Sequence, residues 1–399
     1  MKRHILVLGA GFGGVWSALS AARILDQHSC TDVQITLIAP QAELRIRPRF
    51  YEPNVHEMKA PLGELFDAVD IKFIQGTVDG IDAANKRVQY STAPGIHTWI
   101  NYDKLVLATG SRLNRTNLEG IEHTFDVDEI ETAAHLEGHI KALGSLPDTD
   151  ARNTVVVCGG GFTGIETATE MPTRLRAVLG AEAKINVIVV DRGTKIGAAL
   201  GEGISPSIAQ ASADLGIEWC LDSSITAIDP NGVTLADGRR IESKTVIWTV
   251  GFRASPLTEQ IAGERDPLGR LHVNADLKVV GQNDIYAAGD VAHAATDDQG
   301  HIAAMSCQHA ISLGRHAGNN AAAALLGVPT TAYSQPKYVT CLDLGEWGAV
   351  YTEGWDRQLK LVKEEAKELK HNINSIWIYP PVAERTTALS AADPLIPVA

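Results

Sequence analysis

The chain has 399 residues, 45% of them apolar and 21% charged, with a formal net charge of −13. This balance fits a globular protein of two or three domains with sizeable cores, and its acidity argues against binding to a phosphate backbone, so no nucleic-acid partner is expected. No uninterrupted apolar run approaches the roughly 20 residues of a membrane span. The first strand begins within about three residues of the start, which leaves no room for a signal peptide. The expectation is a cytoplasmic protein without stable membrane insertion.

The apolar run His4–Leu8 reads as a strand and leads into Gly9-Ala10-Gly11-Phe12-Gly13-Gly14 and a helical segment. In this fingerprint the first glycine makes a tight turn, the second lets the backbone approach a pyrophosphate, and the third lets helix and strand pack closely. The next strand, Val33–Ile38, ends at Ala39, where the fold usually places an acid for an adenosine ribose. Arg45, Arg47 and Arg49 follow with period two, suggesting a charged strand edge that contacts phosphates or solvent. Ile71–Val78 and Arg87–Tyr90 alternate as strands. Tyr102–Ser111 is another strand, ending in Ala108-Thr109-Gly110.

A second fingerprint, Gly159-Gly160-Gly161-Phe162-Thr163-Gly164, follows the strand Thr154–Cys158. Its acid is present: Asp191 ends Ile188-Val189-Val190. A carboxylate there repels a 2′-phosphate and favours NADH over NADPH, while Arg192 beside it pulls the other way. Gly232–Arg239 carries an Asp-Gly hairpin turn. Asp284–Asp290 is a strand running into Ala-Gly-Asp. An Ala-rich helix spans Gln308–Leu326, and Lys337–Leu344 reads as a strand. Trp355, Leu359, Val362, Ala366 and Leu369 form an amphipathic helical stripe, opposite a face rich in Lys and Glu. Such a stripe suits core or homodimer packing better than a lipid foot. The tail after Trp377 contains prolines and reads as non-helical.

In this order the motifs resemble the two-dinucleotide-binding-domain flavoproteins of the pyridine nucleotide-disulfide oxidoreductase type. The implied fold is α/β, glutathione-reductase-like, with two Rossmann-like dinucleotide-binding domains plus a small C-terminal α+β domain. The expected division is 1–115 and 255–330 for FAD, 116–254 for NAD(P)H, and 331–399 as a C-terminal interface domain. FAD is implied at Gly9, Gly11, Phe12, Gly13 and Gly14, with Pro40, Arg45, Pro48, Val78, Ala108, Thr109, Gly110, Gly289 and Asp290. NADH is implied at Gly159, Gly161, Phe162, Thr163, Gly164, Asp191, Arg192 and Gly251.

Three stretches narrow the resemblance to type II NADH dehydrogenases and apoptosis-inducing-factor-like NADH oxidoreductases. They are Gly159–Glu166, Trp248–Arg253 and Pro48–Glu52. The five cysteines, Cys30, Cys158, Cys220, Cys307 and Cys341, include no Cys-x-x-Cys pair, so dithiol chemistry and a metal site are not expected. The quinone enzymes carry Ala-Gln-x-x-x-Gln on the helix facing the flavin. Here Gln308 is kept, Cys307 replaces the Ala and Ser312 the second Gln. The candidate catalytic residues are therefore Glu166, placed near the nicotinamide amide, with Gln308 and Cys307 facing the flavin. His293, His301 and His309 read as structural. The implied activity passes electrons from NADH through FAD to a small-molecule acceptor such as a quinone. Alternatives are a reductase component serving a ferredoxin-like protein, a sulfide:quinone reductase-like enzyme and an NADH-sensing flavoprotein.

Overall fold

The computed structural model describes residues 2–115 and 117–397. Two parallel sheets dominate it. The first runs in the order Ile285–Ala287, Lys104–Leu107, Arg3–Leu8, Val33–Ala39, Ile71–Gln75. The second runs Ile217–Cys220, Asn186–Val190, Thr154–Cys158, Thr245–Trp248. These strands are continuous apolar runs because helices cover both faces of a parallel sheet. Ile5, Leu6, Val7 and Leu8 are fully buried, as are Val155, Val156 and Val157.

The fingerprints have matching geometry. Gly9 and Gly159 both sit at φ +104°, in the region that favours glycine. A Cβ on Gly14 would lie 1.9 Å from the Gly9 carbonyl oxygen, and one on Gly164 would lie 1.9 Å from the Gly159 oxygen. Each third glycine therefore lets its helix start against its own strand. The helices that follow are Phe12–Gln27 and Phe162–Leu179.

The helix Cys307–Leu326 packs along Phe12–Gln27 through small residues. A Cβ at Gly318 would lie 1.9 Å from the Ser17 carbonyl oxygen. Gly318→Ala should thus cost about 2–3 kcal/mol by overpacking, read by denaturant titration. A cost below about 0.5 kcal/mol would show that the helices can part freely.

Three expectations are corrected. Ile71–Val78 is not one strand: the parallel strand stops at Gln75 and Thr77 opens the antiparallel strands Thr77–Asp82, Arg87–Ala93 and Ile96–Asn101. The break comes where the Gly76 N–H donates to the Ala39 carbonyl at 2.9 Å. The helical stripe from Trp355 to Leu369 is split. Gln358–Val362 pairs with Ala349–Glu353, and the helix spans only Lys363–Asn372. Trp355 instead stacks on Tyr338 and His301, with ring centroids 4.4 and 4.6 Å apart, and Leu359 and Val362 remain 41% exposed. Finally, the tail does contain a helix, Arg385–Ala391, whose first N–H groups at Thr386 and Thr387 are capped by the Glu384 carboxylate. Glutamate is not among the usual capping residues, so this helix start carries no recognisable sequence signature.

Candidate active site

The first fingerprint leaves an anion site at the start of its helix. Gly11 is the N-cap and offers no side-chain cap, so the first-turn N–H groups stay available. A Cβ added at Gly11 would meet nothing within 4 Å, and the same holds at Gly161 in the second fingerprint. Each loop thus keeps open space at the position where a pyrophosphate approaches. Two buried oxygens lack partners: Thr109 Oγ1, in a residue beside Gly9, and Gln308 Oε1, in the first turn of the helix Cys307–Leu326 that packs on Gly289–Val291. Buried polar groups are normally paired, and a flavin bound along this edge would supply their partners.

Gly289–Val291 turns tightly at the end of the strand Ile285–Ala287. The Asp290 carboxylate accepts a 2.6 Å hydrogen bond from the Ser111 hydroxyl and lies 3.7 Å from the Arg47 guanidinium. Arg47 also holds Asp128 and reaches over the Phe252 ring at 4.9 Å. A helix N-terminus, unpartnered oxygens and a positioned acid together fit FAD. Gly110 turns at φ +67°, Pro48 lies in the short helical turn Arg47–Arg49, and Val78 is half-buried. Arg45 is engaged elsewhere: it donates to Glu43 at 3.0 Å and, with both terminal nitrogens, to Glu131 at 2.8 Å.

In the second unit Asp191 braces the glycine loop. It accepts the Gly160 N–H at 2.6 Å and the Gly193 N–H at 2.7 Å. Arg192 is exposed, with no ion pair among the described residues. Gly251, at φ +92°, accepts from the Asn114 N–H at 2.8 Å where the chain passes back between the two sheets. Asp191→Ala should lower kcat/KM for NADH about tenfold by removing a carboxylate partner and loosening the loop. The NADPH value should fall less or rise, because Arg192 then meets the 2′-phosphate unopposed. Steady-state kinetics with both nucleotides test this, and an unchanged NADH:NADPH ratio would refute it.

Glu166 lies one turn into the second-fingerprint helix and is buried, 6% exposed, against Lys370 at 7%. Lys370 Nζ donates to Glu166 Oε1 at 2.7 Å and to the Cys341 carbonyl at 2.9 Å. The Asp343 N–H adds a 3.0 Å bond to the same Oε1. Burial pushes the Glu166 carboxyl up to about 7, against the downward pull of Lys370. Burial pulls the Lys370 ammonium down, but Glu166, Cys341 and Asp343 together more than offset it, so Lys370 stays protonated. The ammonium also lies 5.6 Å from the Phe162 ring centroid and acts electrostatically on Cys307. One lysine from the C-terminal segment thus meets the second-fingerprint helix at both Glu166 and Phe162. Tyr51 donates to Asp343 at 3.1 Å, and Lys367 holds the other side of Asp343. A cavity of about 180 Å³ beside this network is lined by Lys370, Glu170 and Asp343. Glu170 is also raised to about 7 by burial.

Burial pushes the Cys307 thiol up to about 11, so it is protonated at neutral pH and a poor nucleophile. His309 is fully buried and pushed down to about 4, consistent with a packing role. Among the described residues no group of three or more His, Cys, Asp or Glu side chains could hold a metal ion. Sequence reasoning missed Lys370, Asp343 and Ser111. The one signal for Lys370 was its position four residues after the buried Ala366, on the covered face of its helix.

Comparison with known proteins agrees with this geometry. The family described as pyridine nucleotide-disulphide oxidoreductase matches residues 3–318. An NADH dehydrogenase-like protein of Mycobacterium tuberculosis is 42% identical over 401 residues, covering 98% of each chain. The demethylphylloquinone reductase of Synechocystis is 30% identical over 360 residues, covering 88% of this chain and 86% of that one. Among solved structures, NDH2 from Plasmodium falciparum in complex with NADH is similar in fold, with a TM-score of 0.79 at 14% identity over 98% of both chains. The sulfide:quinone oxidoreductase of Aquifex aeolicus is similar with a TM-score of 0.78 at 18% identity, covering 98% of this chain and 93% of that one.

Proposed function

Because this chain belongs to the pyridine nucleotide-disulphide oxidoreductase family, we propose that it is an FAD-dependent oxidoreductase that takes electrons from NADH and delivers them to a quinone. The names of its relatives support the donor and the acceptor. The observation that carries the reading is the buried Glu166–Lys370 pair, which ties the second-fingerprint helix to the C-terminal segment. FAD supplies the redox chemistry when bound, accepting two electrons from a reduced nicotinamide and passing them on.

The chain's residues bind, orient and handle protons. The first fingerprint and Asp290 hold the flavin dinucleotide, and the second with Asp191 holds NADH. The division proposed is 1–115 and 255–330 for FAD, 116–254 for NADH, and 331–399 as the segment that closes the site with Lys370. Overall, NADH, one proton and a quinone give NAD⁺ and a quinol, so one proton must come from solvent. Glu166 Oε1 accepts both bonds in its network, which leaves Oε2 to carry that proton. A carboxyl titrating near 7 exists in both forms at working pH, as a general acid requires. Lys370 positions it and prevents its permanent protonation. Gln308 Oε1, buried and unpaired, is available to a ring N–H of flavin or to a quinol hydroxyl.

No helix of the described residues is long and apolar enough to cross a membrane, and we place the protein in the cytoplasm with a water-accessible acceptor. The test is NADH oxidation with a short-chain benzoquinone or naphthoquinone, with and without liposomes, beside a sedimentation assay. Turnover should proceed without lipid. No quinone turnover would overturn the acceptor and favour a ferredoxin-like protein partner. Activity only in lipid, with quantitative sedimentation, would overturn the location.

A further inference from the structure

The strand Val33–Ala39 would be expected to end in an acid, but it ends in Ala39, and the substitute suggested by the sequence, Arg45, is spent on Glu43 and Glu131.

 In the parallel register Ala39 pairs with Gln75, and the Gly76 N–H donates to the Ala39 carbonyl at 2.9 Å. The side chain opposite the missing acid in this register is therefore an amide. Gln75 Nε2 donates to Gln41 Oε1 at 3.4 Å, so two amides meet across the end of this strand. Beside them is a cavity of about 360 Å³, within the size range of small-molecule sites. Its lining includes Pro40, Gln75, Thr77, Ser91 and Thr92, and no charged side chain.

We propose that Gln75, which lines this uncharged cavity, and Gln41, bonded to it, replace the missing carboxylate and hold the adenosine ribose of FAD. The inference rests on the FAD reading above. A ribose diol offers two hydroxyls that both donate and accept. A carboxylate can only accept from them, whereas an amide accepts through its oxygen and donates through its nitrogen. After the Gln75–Gln41 bond, Gln75 Oε1 and the second Gln75 N–H stay free, together with both N–H groups of Gln41. The pair can thus receive one hydroxyl and donate to the other. The hairpin residues Ser91–Pro94 form the opposite wall.

The test is the rate at which the holoenzyme loses FAD on dilution, read by recovered flavin fluorescence. The double variant Gln41→Leu/Gln75→Leu should lose FAD about tenfold faster than wild type. Gln75→Glu, which keeps an acceptor at the same place, should stay within about threefold of wild type. NADH affinity, measured on the same preparations, should be unchanged, because the second fingerprint is untouched. Release from the double variant at the wild-type rate would overturn the ribose assignment while leaving the FAD reading intact. A parallel loss of NADH affinity would also overturn it, showing general loosening. Wild-type protein that contains no FAD would overturn the functional reading itself.

Discussion

Glu166→Gln should lower quinone turnover about a hundredfold and flatten its dependence on pH. A positioned general acid contributes on the order of 10²–10⁴ in rate, and the amide can neither give up nor regain a proton. In wild type, turnover should decline as pH rises through about 7, where the Glu166 carboxyl loses its proton. Lys370→Met should move that decline upward, because the buried carboxyl then lacks the ammonium that pulls it down. The single Lys370 variant should also be destabilised by roughly 3–5 kcal/mol at alkaline pH, where it leaves an uncompensated buried charge. The double variant Glu166→Gln/Lys370→Met should recover much of that loss, since it removes both charges.

Stability gives a second readout with a definite sign. The folded Glu166 carboxyl is raised from 4.5 to about 7, so between these values the native state binds more protons than the unfolded chain. Its contribution is fully present below the unfolded value and is lost as pH rises through about 7. Relative to Glu166→Gln, wild type should therefore lose about 2–3 kcal/mol between pH ~5 and ~8. Denaturant titration at the two pH values measures this difference. Wild-type turnover and a wild-type pH profile in Glu166→Gln would remove Glu166 from the mechanism.

The parts of the molecule legible in the sequence are those with short-range signatures. Both parallel units announce themselves through β-branched runs entering glycine turns, because buried strands and pyrophosphate loops allow few residue types. Gly289-Asp290 is legible for the same reason. The C-terminal segment is not. Leu359 and Val362 have helical spacing with Ala366, yet the chain forms a strand there because Trp355 is captured by Tyr338 and His301. That capture depends on residues more than fifteen positions earlier in the chain, which periodicity does not register. Lys370 was hidden differently. It lies in a run of solvated Lys and Glu residues, and only tertiary packing on Glu166 distinguishes it from Lys367 or Lys363. Arg45 shows the converse. Its period-two partners Arg47 and Arg49 suggested one charged edge, but each guanidinium serves a different acid: Glu131, Asp128 and Glu52 respectively.

Asp290→Ala should yield a folded but colourless protein. Asp290 stands at the carboxyl end of the first parallel sheet, the edge where α/β folds bind their ligands. The first fingerprint and Ala108-Thr109-Gly110 open on the same edge, from the adjacent strands Arg3–Leu8 and Lys104–Leu107. Ser111 and Arg47 fix the carboxylate from two sides, so it is already oriented before a ligand arrives. A preorganised charged acceptor facing ligand hydroxyls is worth about 1.5–3 kcal/mol, or roughly ten- to a hundredfold in affinity. The fold should survive the substitution, because Arg47 keeps Asp128 and Phe252 and the neighbouring strand Ile285–Ala287 is buried without help from Asp290. Asp290→Asn keeps the shape and one acceptor oxygen, and should lose flavin more slowly than Asp290→Ala. Visible absorbance of the purified variants, with circular dichroism to verify folding, decides the matter. An Asp290→Ala protein that retains stoichiometric FAD through gel filtration would show that the fingerprint helix and the buried oxygens of Thr109 and Gln308 hold the cofactor without this acid.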